Sequence, residues 1–352
     1  MRILKCAILS IFVFAGVLSV TFQNGVKSQE TPTAGQHDDS VRQARFRHSG
    51  RMDVEDGRNP DAINNQGRDD PTEAPAGFDN LTNGFNEQGP PFDTINDENV
   101  VALRSFNDNR FIFEEFETIE DGLGPTYNAQ SCRECHQNVV TGGASQIAEH
   151  RTGRTDGGIF FESLGGSLVQ SRATHANIVE RVAFGDDIRT FRISTNTLGD
   201  GFVEAIANET LMGIRDRQPQ NMRGTALMVP VFEGNGNARL GRFGWKNQHA
   251  SLESFSADAY LNEMGITSPF LPEENTSGGR DVSRYDTVAD PEDDGVDLVA
   301  FANFIRSTKV PDRGPINATV RSGESLFRQV GCATCHTSSI TTAPSGTVIN
   351  GG

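Results

Sequence analysis

Basic residues are scarce in this sequence relative to acidic ones. Its 352 residues include 31 Lys and Arg against 47 Asp and Glu, which gives a formal net charge of −16 at pH 7. A surface of this sign repels nucleic acid and anionic lipid, so we expect neither as a partner. A basic protein partner stays open, although acidity of this kind also serves solubility alone.

Long hydrophobic runs are also missing. The apolar run at residues 6–20 is shorter than the stretch of about 20 residues that spans a bilayer. It follows Arg2 and Lys5 and leads into a polar stretch with a candidate cleavage point near Ser28, which is the pattern of a secretory signal. We predict that residues 1–28 are removed, that the protein is periplasmic or otherwise exported in a bacterium, and that no stable membrane span remains. An uncleaved anchor is the alternative.

Large apolar side chains are nearly absent from residues 51–77, and no glycine-rich turn of the phosphate-binding kind occurs between a strand and a helix. The first absence predicts that residues 29–95 form a poorly ordered lead-in. The second gives no support for a nucleotide-binding function. The chain also contains 37 Gly and 15 Pro, so we expect it to be rich in loops.

Cysteine is uncommon too, but four of the five cysteines fall in two copies of one pattern, C-x-x-C-H. Two thiols at this spacing on one helical turn both reach the vinyl groups of a single porphyrin and form thioethers. The histidine that follows binds the iron as the proximal ligand. The pattern therefore predicts two covalent c-type haems. The cofactor-binding residues are Cys132, Cys135 and His136 for the first haem, and Cys332, Cys335 and His336 for the second.

Three other interpretations of the cysteines are weaker. A zinc ribbon closes its loop within about 15–20 residues, whereas the two cysteine pairs lie about 200 residues apart. A thioredoxin-like motif has one C-x-x-C beside a βαβ pattern and gives no reason for the two histidines. Structural disulfides between such close neighbours rarely stabilise a domain of this size.

Hydrophobic periodicity predicts three helices in the C-terminal half of the chain. One covers residues 252–265 and ends at Gly265, a second begins with Asp297 as its cap and stops before Pro311, and a third begins near Asn317. Ser131 is the predicted N-cap of the first haem-bearing turn. We predict a mainly α fold with loop-rich and short β insertions. Residues 96–310 form a first haem c domain with a long insert, and residues 311–352 form the start of a second.

The pattern GxxLFxxxGCxxCH over residues 323–336 is similar to the first helix and haem site of class I cytochrome c domains. No closing helix follows His336, so we expect this second cytochrome c-like domain to be incomplete. From about Gly77 onward, the chain resembles the exported bacterial di-haem oxidoreductases, a family of peroxidases and thiol oxidoreductases related to di-haem cytochrome c peroxidases. The resemblance rests on residues 122–136, 198–206, 241–246 and 262–267 and on the second haem helix, in that order.

This resemblance implies an enzyme in which one haem receives electrons and the other meets a small-molecule substrate such as peroxide. Its electron donor would be a small redox protein or a quinol-linked protein. A glutamate would move protons during cleavage of the O–O bond, and the candidates are Glu204 and Glu162. His150 is the candidate distal ligand of the first haem iron.

Calcium is a further cofactor that the resemblance suggests, but the local pattern does not support it. Residues 290–295 begin like an EF-hand loop, whereas Phe301 stands where the closing glutamate belongs. Trp245, the one tryptophan, is interpreted as a core residue, with a relay between the haems as the alternative.

Two other functions compete with the peroxidase-like enzyme. One is a non-catalytic di-haem electron-transfer cytochrome, and the other is an exported structural domain with metal-bound cysteines.

Overall fold

The computed structural model of the protein describes residues 103–138, 140–308, 310 and 316–351. The predicted signal at residues 1–28 and the predicted lead-in at residues 29–95 lie outside the described residues. The α-helices, in chain order, are α1 (Leu103–Glu114), α2 (Cys132–Cys135), α3 (Asp200–Glu204), α4 (Asn208–Arg217), α5 (Leu252–Ala259), α6 (Val296–Arg306) and α7 (Ala318–Gln329). A π-helical turn, Tyr260–Met264, continues α5.

The strands are β1 (Thr126–Tyr127), β2 (Ala148–Asp156), β3 (Ile159–Glu162), β4 (Leu168–Val169), β5 (Arg172–Ala173), β6 (Ile188–Ile193), β7 (Met228–Pro230) and β8 (Ala238–Leu240). In the described part of the chain they form three antiparallel sheets. The largest is built around β2, which pairs with β6 on one side and with β3 and β4 on the other. The pairs β1–β5 and β7–β8 form the two smaller sheets.

The predicted mainly α, cytochrome c-like fold is therefore wrong. The fold prediction failed in the stretch between the two C-x-x-C-H motifs, where the sequence shows no sustained hydrophobic periodicity. Strand β2 places Glu149, His150, Arg151 and Thr152 in succession, so it lacks the alternation that marks a half-buried strand. Its pairing with β6 joins residues far apart in the chain, such as His150 and Phe191, and this tertiary contact decides its conformation.

The hydrophobic core lies where α1, α5 and α6 pack together. Phe106 and Phe113 lie on the same face of α1, two turns apart. Both pack against Phe304 of α6, with ring-centroid distances of 5.6 and 4.7 Å. Leu252 and Leu298 complete the cluster from α5 and α6. Trp245 does not join it: the ring is 58% exposed, so the predicted place of Trp245 in the core is wrong.

The three predicted C-terminal helices are present. The first ends at Gly265, whose φ of 71° is the left-handed cap conformation that glycine adopts readily. The side chain of Asn317 caps α7 by accepting the N–H of Val320 at 3.0 Å. Helix α6 begins two residues earlier than predicted, because Gly295 is its cap and Asp297 lies inside its first turn. Among the described residues, no helix has both the length and the apolar character to cross a membrane.

Candidate haem-binding sites

The first C-x-x-C-H motif forms a single capped turn. The hydroxyl of Ser131 accepts the N–H of Arg133 at 3.2 Å, which confirms the predicted cap. Cys132 and Cys135 occupy the ends of the turn, three positions apart, so both thiols lie on one side of it. The N–H of His136 donates to the carbonyl of Cys132 at 2.9 Å and closes the turn. This is the local geometry that two thioether links to one porphyrin require.

The imidazole of His136 is oriented by its surroundings. Its Nδ1 lies 3.2 Å from the carbonyl oxygen of Gly143, so this nitrogen donates and Nε2 is the one able to bind a metal. The ring of Phe113 lies 6.3 Å from it, centroid to centroid. Burial lowers the pKa of His136 despite the neighbouring carbonyl, so the ring is neutral at pH 7. A neutral, fixed imidazole suits an axial iron ligand.

The two thiols of the first motif are neutral as well. Burial raises the pKa of Cys132 far above its usual value, and Cys132 packs against the hydrophobic core. Burial, followed by the charges of Glu263 and Glu149, raises the pKa of Cys135 to about 11. All four described cysteines are free of disulfides. The residues present therefore fit a haem.

The second motif has the same residues in an exposed setting. Cys332 and Cys335 are exposed and belong to a short turn that follows α7. The ring of Phe327 packs edge-on against His336 at 5.7 Å, as Phe113 packs near His136. The apolar side chains that precede the turn on α7 are exposed: Val320, Leu326, Phe327 and Val330. A porphyrin would cover such a face, so this segment also fits a haem.

The second motif is attached to the rest of the molecule on both sides. Before His336, the side-chain amide of Gln218 donates to the carbonyl of Thr334 at 3.2 Å. After it, the N–H of Ala343 donates to the carbonyl of Ala205 at 2.8 Å. Further on, Asn350 reaches the buried carboxylate of Glu204 at 2.9 Å.

His150 lies on β2, half-buried, with its ring stacked on Phe191 at 4.9 Å. Its Nε2 is buried and has no hydrogen-bond partner among the described residues. A buried imidazole nitrogen that is left without a partner is costly unless a ligand occupies it. The role of His150 as a distal ligand stays a prediction.

The two predicted proton-handling glutamates lie in unlike environments. Glu204, at the end of α3, is 3% exposed and is held by Arg306 at 2.7 and 3.0 Å and by the N–H of Leu252 at 2.8 Å. Burial raises the pKa of Glu204, but the bonds and charge of Arg306 outweigh burial, so the pKa is lowered. Glu162 ends β3 and is exposed. Their catalytic role also stays a prediction.

Two carboxyl groups beside the first motif were missed in the sequence, the buried Glu117 and the half-buried Glu263. Glu117 accepts a hydrogen bond from the hydroxyl of Tyr260 at 3.1 Å, and burial, above all, raises the pKa of Glu117 to about 7. Glu263 accepts the side-chain amide of Asn128 at 2.7 Å, and burial together with Glu149 raises its pKa. The sequence gives no indication that Glu117 and Tyr260 are in contact, because they lie 143 residues apart. Glu263 at least lies in a segment, residues 262–267, that carries the family resemblance.

A third acidic group lies near the loop at residues 290–295. Carboxylate oxygens of Glu274, Asp290 and Glu292 all lie within 4.8 Å of one another. The hydroxyl of Thr267 donates to Asp290 at 2.8 Å. Burial, then the charges of Glu292 and Asp290, raises the pKa of Glu274 to about 9. Carboxylate oxygens are ligands that calcium prefers, but this grouping includes Glu274 from outside the loop. The sequence pattern did not predict calcium here, and the ion stays only what the resemblance suggests.

Comparison with known proteins identifies one family. The family described as "Di-haem oxidoreductase, putative peroxidase" matches residues 160–352, more than half of the chain, including the second C-x-x-C-H motif. No curated protein and no solved structure shows a significant match. The family name implies haem cofactors and, at a coarse level, oxidoreductase chemistry. On the match over residues 160–352, the chain belongs to the di-haem oxidoreductase family.

Proposed function

We propose that the protein is an exported bacterial di-haem c-type oxidoreductase with peroxidase-like activity. It would take electrons from a small redox protein or a quinol-linked donor and reduce a small substrate such as peroxide. The observation that carries this proposal is the first motif, in which two neutral thiols and an oriented neutral histidine share one turn. The family match supports the same chemistry at a coarser level.

The chain offers residues to hold each haem. Cys132 and Cys135 would form the thioether links of the first, with His136 as the axial ligand, and Cys332, Cys335 and His336 would do the same for the second. A haem iron whose sixth position is exchangeable binds peroxide and passes electrons. The carbonyl of Gly143 holds the His136 ring in one tautomer and increases its basicity. Phe113 and the core behind it exclude water from that side of the ring.

Proton transfer is assigned to the two glutamates that the resemblance provides. Because its pKa is lowered, Glu204 is a carboxylate at neutral pH, which is the form that accepts a proton, while the same lowered pKa makes it a weak base. Glu162 is exposed and exchanges protons directly with solvent. We propose Glu204 as the first candidate, with Arg306 holding its carboxylate in place.

The test is to produce the full chain, with its signal, in a bacterium that matures c-type cytochromes. Haem that survives a denaturing gel, and peroxide-dependent oxidation of a reduced small cytochrome, are the expected results. The double variants Cys132→Ala/Cys135→Ala and Cys332→Ala/Cys335→Ala should each keep one of the two covalent haems. The fourfold variant should keep neither. A colourless wild-type protein, or haem that the fourfold variant retains, would contradict the proposal.

A second candidate function is a non-catalytic electron-transfer cytochrome. The Nε2 of His150, which has no partner among the described residues, is consistent with a protein ligand on the sixth position of the first haem iron, and the carrier would need such a ligand at the second haem as well. The optical spectrum separates the two functions. A high-spin ferric haem that reacts with peroxide supports the enzyme, and two low-spin haems that are inert to peroxide support the carrier.

A further inference from the structure

Tyr260 and Glu117 form an isolated polar pair inside the hydrophobic core. Tyr260 opens the π-helical turn and is 3% exposed, while Glu117 is 7% exposed. The phenol of Tyr260 donates to Oε1 of Glu117 at 3.1 Å. The backbone of Glu117 is fixed by Gln130, which accepts the N–H at 2.8 Å and donates to the carbonyl through its side-chain amide at 3.2 Å. The pair is thus held rigidly and out of contact with bulk water.

The charged groups that act on this pair are acidic. Glu115, Asp297 and Asp121 act on Glu117, and burial is the largest cause of its raised pKa of about 7. Burial is also the largest cause of the raised pKa of Tyr260, and the charges of Glu117, Asp297 and Asp293 add to it. At neutral pH, Glu117 therefore changes readily between its acid and carboxylate forms, while the Tyr260 phenol keeps its proton.

The pair lies beside the first haem-binding motif. Cys132 packs against the same core cluster that contains Tyr260. A continuous series of aromatic rings joins the motif to the pair. The centroid distances are 6.3 Å from His136 to Phe113, 6.2 Å from Phe113 to Phe301, and 5.1 Å from Phe301 to Tyr260.

We propose that Tyr260 is a redox-active residue that gives one electron to the oxidised haem of the first motif and its phenolic proton to Glu117. This inference rests on the proposed function, because peroxide is the oxidant that withdraws electrons from the haem. The O–H bond of Tyr260 breaks, an O–H bond forms on the Glu117 carboxylate, and the haem is reduced by one electron. A neutral tyrosyl radical remains, and returning one electron and the proton restores the pair.

The chain has few other residues that the haem could oxidise by one electron. It contains three tyrosines and one tryptophan, all of them among the described residues. The hydroxyl of Tyr285 accepts a hydrogen bond from Asn177 rather than donating to a carboxylate. Trp245 lies at the surface below the guanidinium of Arg192. In the described part of the chain, Tyr260 is the tyrosine whose phenol donates to a buried carboxylate.

The test is to treat the haem-loaded full chain with hydrogen peroxide, freeze it rapidly and record its electron paramagnetic resonance spectrum. We expect a tyrosyl radical whose hyperfine lines change when the protein carries ring-deuterated tyrosine. Tyr260→Phe should abolish the signal. Glu117→Gln keeps an acceptor for the phenol but cannot take its proton, so it should weaken the signal strongly. Tyr285→Phe is the matched control and should leave it unchanged.

The pH dependence adds a readout that a merely structural hydrogen bond would not produce. In the wild type, the radical yield should rise as pH rises through about 7, because Glu117 then becomes a carboxylate. Glu117→Gln should lose this dependence. Thermal melting of each variant shows whether it folds. If Tyr260→Phe does not fold, Glu117→Gln and the deuterium effect decide the outcome.

The failure of this inference differs from the failure of the proposed function. If peroxide changes the haem spectrum but no tyrosyl signal appears, or the signal persists in Tyr260→Phe, the inference is overturned and the function stands. If peroxide leaves the haem spectrum unchanged, the proposed function fails. A photogenerated ruthenium(III) oxidant then tests the pair directly, and a radical located at Tyr260 supports it, whereas a radical located elsewhere overturns it.

Discussion

The two C-x-x-C-H motifs carry the same functional residues in opposite surroundings. The first is a capped turn beside the α1–α6 core, with Cys132 packed on that core and His136 opposite Phe113. The second follows an amphipathic helix whose apolar side chains face solvent, and both of its cysteines are exposed. The spacing of the motif is therefore a local property, while the acidity and accessibility of its side chains come from the fold around it.

The largest difference should appear when the aromatic ring beside each histidine is removed. Phe113→Ala should lower the free energy of unfolding by about 3–5 kcal/mol, because it leaves a cavity in the core beside Phe304. Phe327→Ala should cost less than about 1 kcal/mol, because that ring is 42% exposed. Urea unfolding of the haem-free proteins measures both. Equal losses would show that the two motifs do not differ as described.

Ion pairs offer a second contrast between the two regions. Arg306→Ala should cost about 2–3 kcal/mol, because it leaves the buried carboxylate of Glu204 without its cation. Arg328→Ala is the control near the second motif, where its pair with Glu324 is exposed and contributes at most about 1 kcal/mol.

The effect of Arg306→Ala also has a predicted pH dependence. The pKa of Glu204 lies below its usual value of 4.5, so the ion pair stabilises the fold above that pH and its contribution disappears as pH falls below it. Chemical unfolding at pH 7 and at lower pH should show the difference between wild type and Arg306→Ala shrinking. A difference that is independent of pH would contradict this account of the pair.

The thiols themselves should differ in reactivity in protein prepared without haem. Alkylation proceeds through the thiolate, and burial raises the pKa of both Cys132 and Cys135. The exposed pair, Cys332 and Cys335, should react at least about tenfold faster at pH 7.5. Peptide mass spectrometry after timed iodoacetamide exposure measures each rate. The contrast should vanish in urea, and a first pair that reacts as fast in the folded protein would rule out its burial.

The smallest expected effect concerns the acidic group of Glu274, Asp290 and Glu292. The folded protein keeps a proton on Glu274 up to about pH 9, whereas the unfolded chain releases it near its usual value of 4.5. Stability should therefore fall as pH rises between these values. Because Glu274 is only half-buried, solvent screening reduces the effect well below the full shift, and Glu274→Gln should add about 1 kcal/mol at pH 8 and nothing at pH 4.

Calcium provides the complementary measurement on this group. If the ion binds there, it should raise the melting temperature of the wild type at pH 8 and raise that of Glu274→Gln less. An equal rise in both proteins would place any bound calcium elsewhere.

The features that the sequence predicted well are those determined by near neighbours. The Ser131 cap and the helix that ends at Gly265 each depend on residues within a few positions of one another. The short β insertions were expected, but the extent of the sheet around β2 was not, because most residues of β2 are polar and its conformation is set by a partner strand distant in the chain. The Glu117–Tyr260 pair was missed for the same reason, since only folding brings its two members together. Trp245 was misplaced because its apolar character was taken as a sign of burial.

The contacts on either side of the second motif set how that motif can move. The carbonyl of Thr334, two residues before His336, accepts from Gln218, and the N–H of Ala343, seven residues after it, donates to Ala205. The segment that carries His336 is therefore held at both ends while its surface is open, and it cannot separate from the rest of the protein without breaking a hydrogen bond.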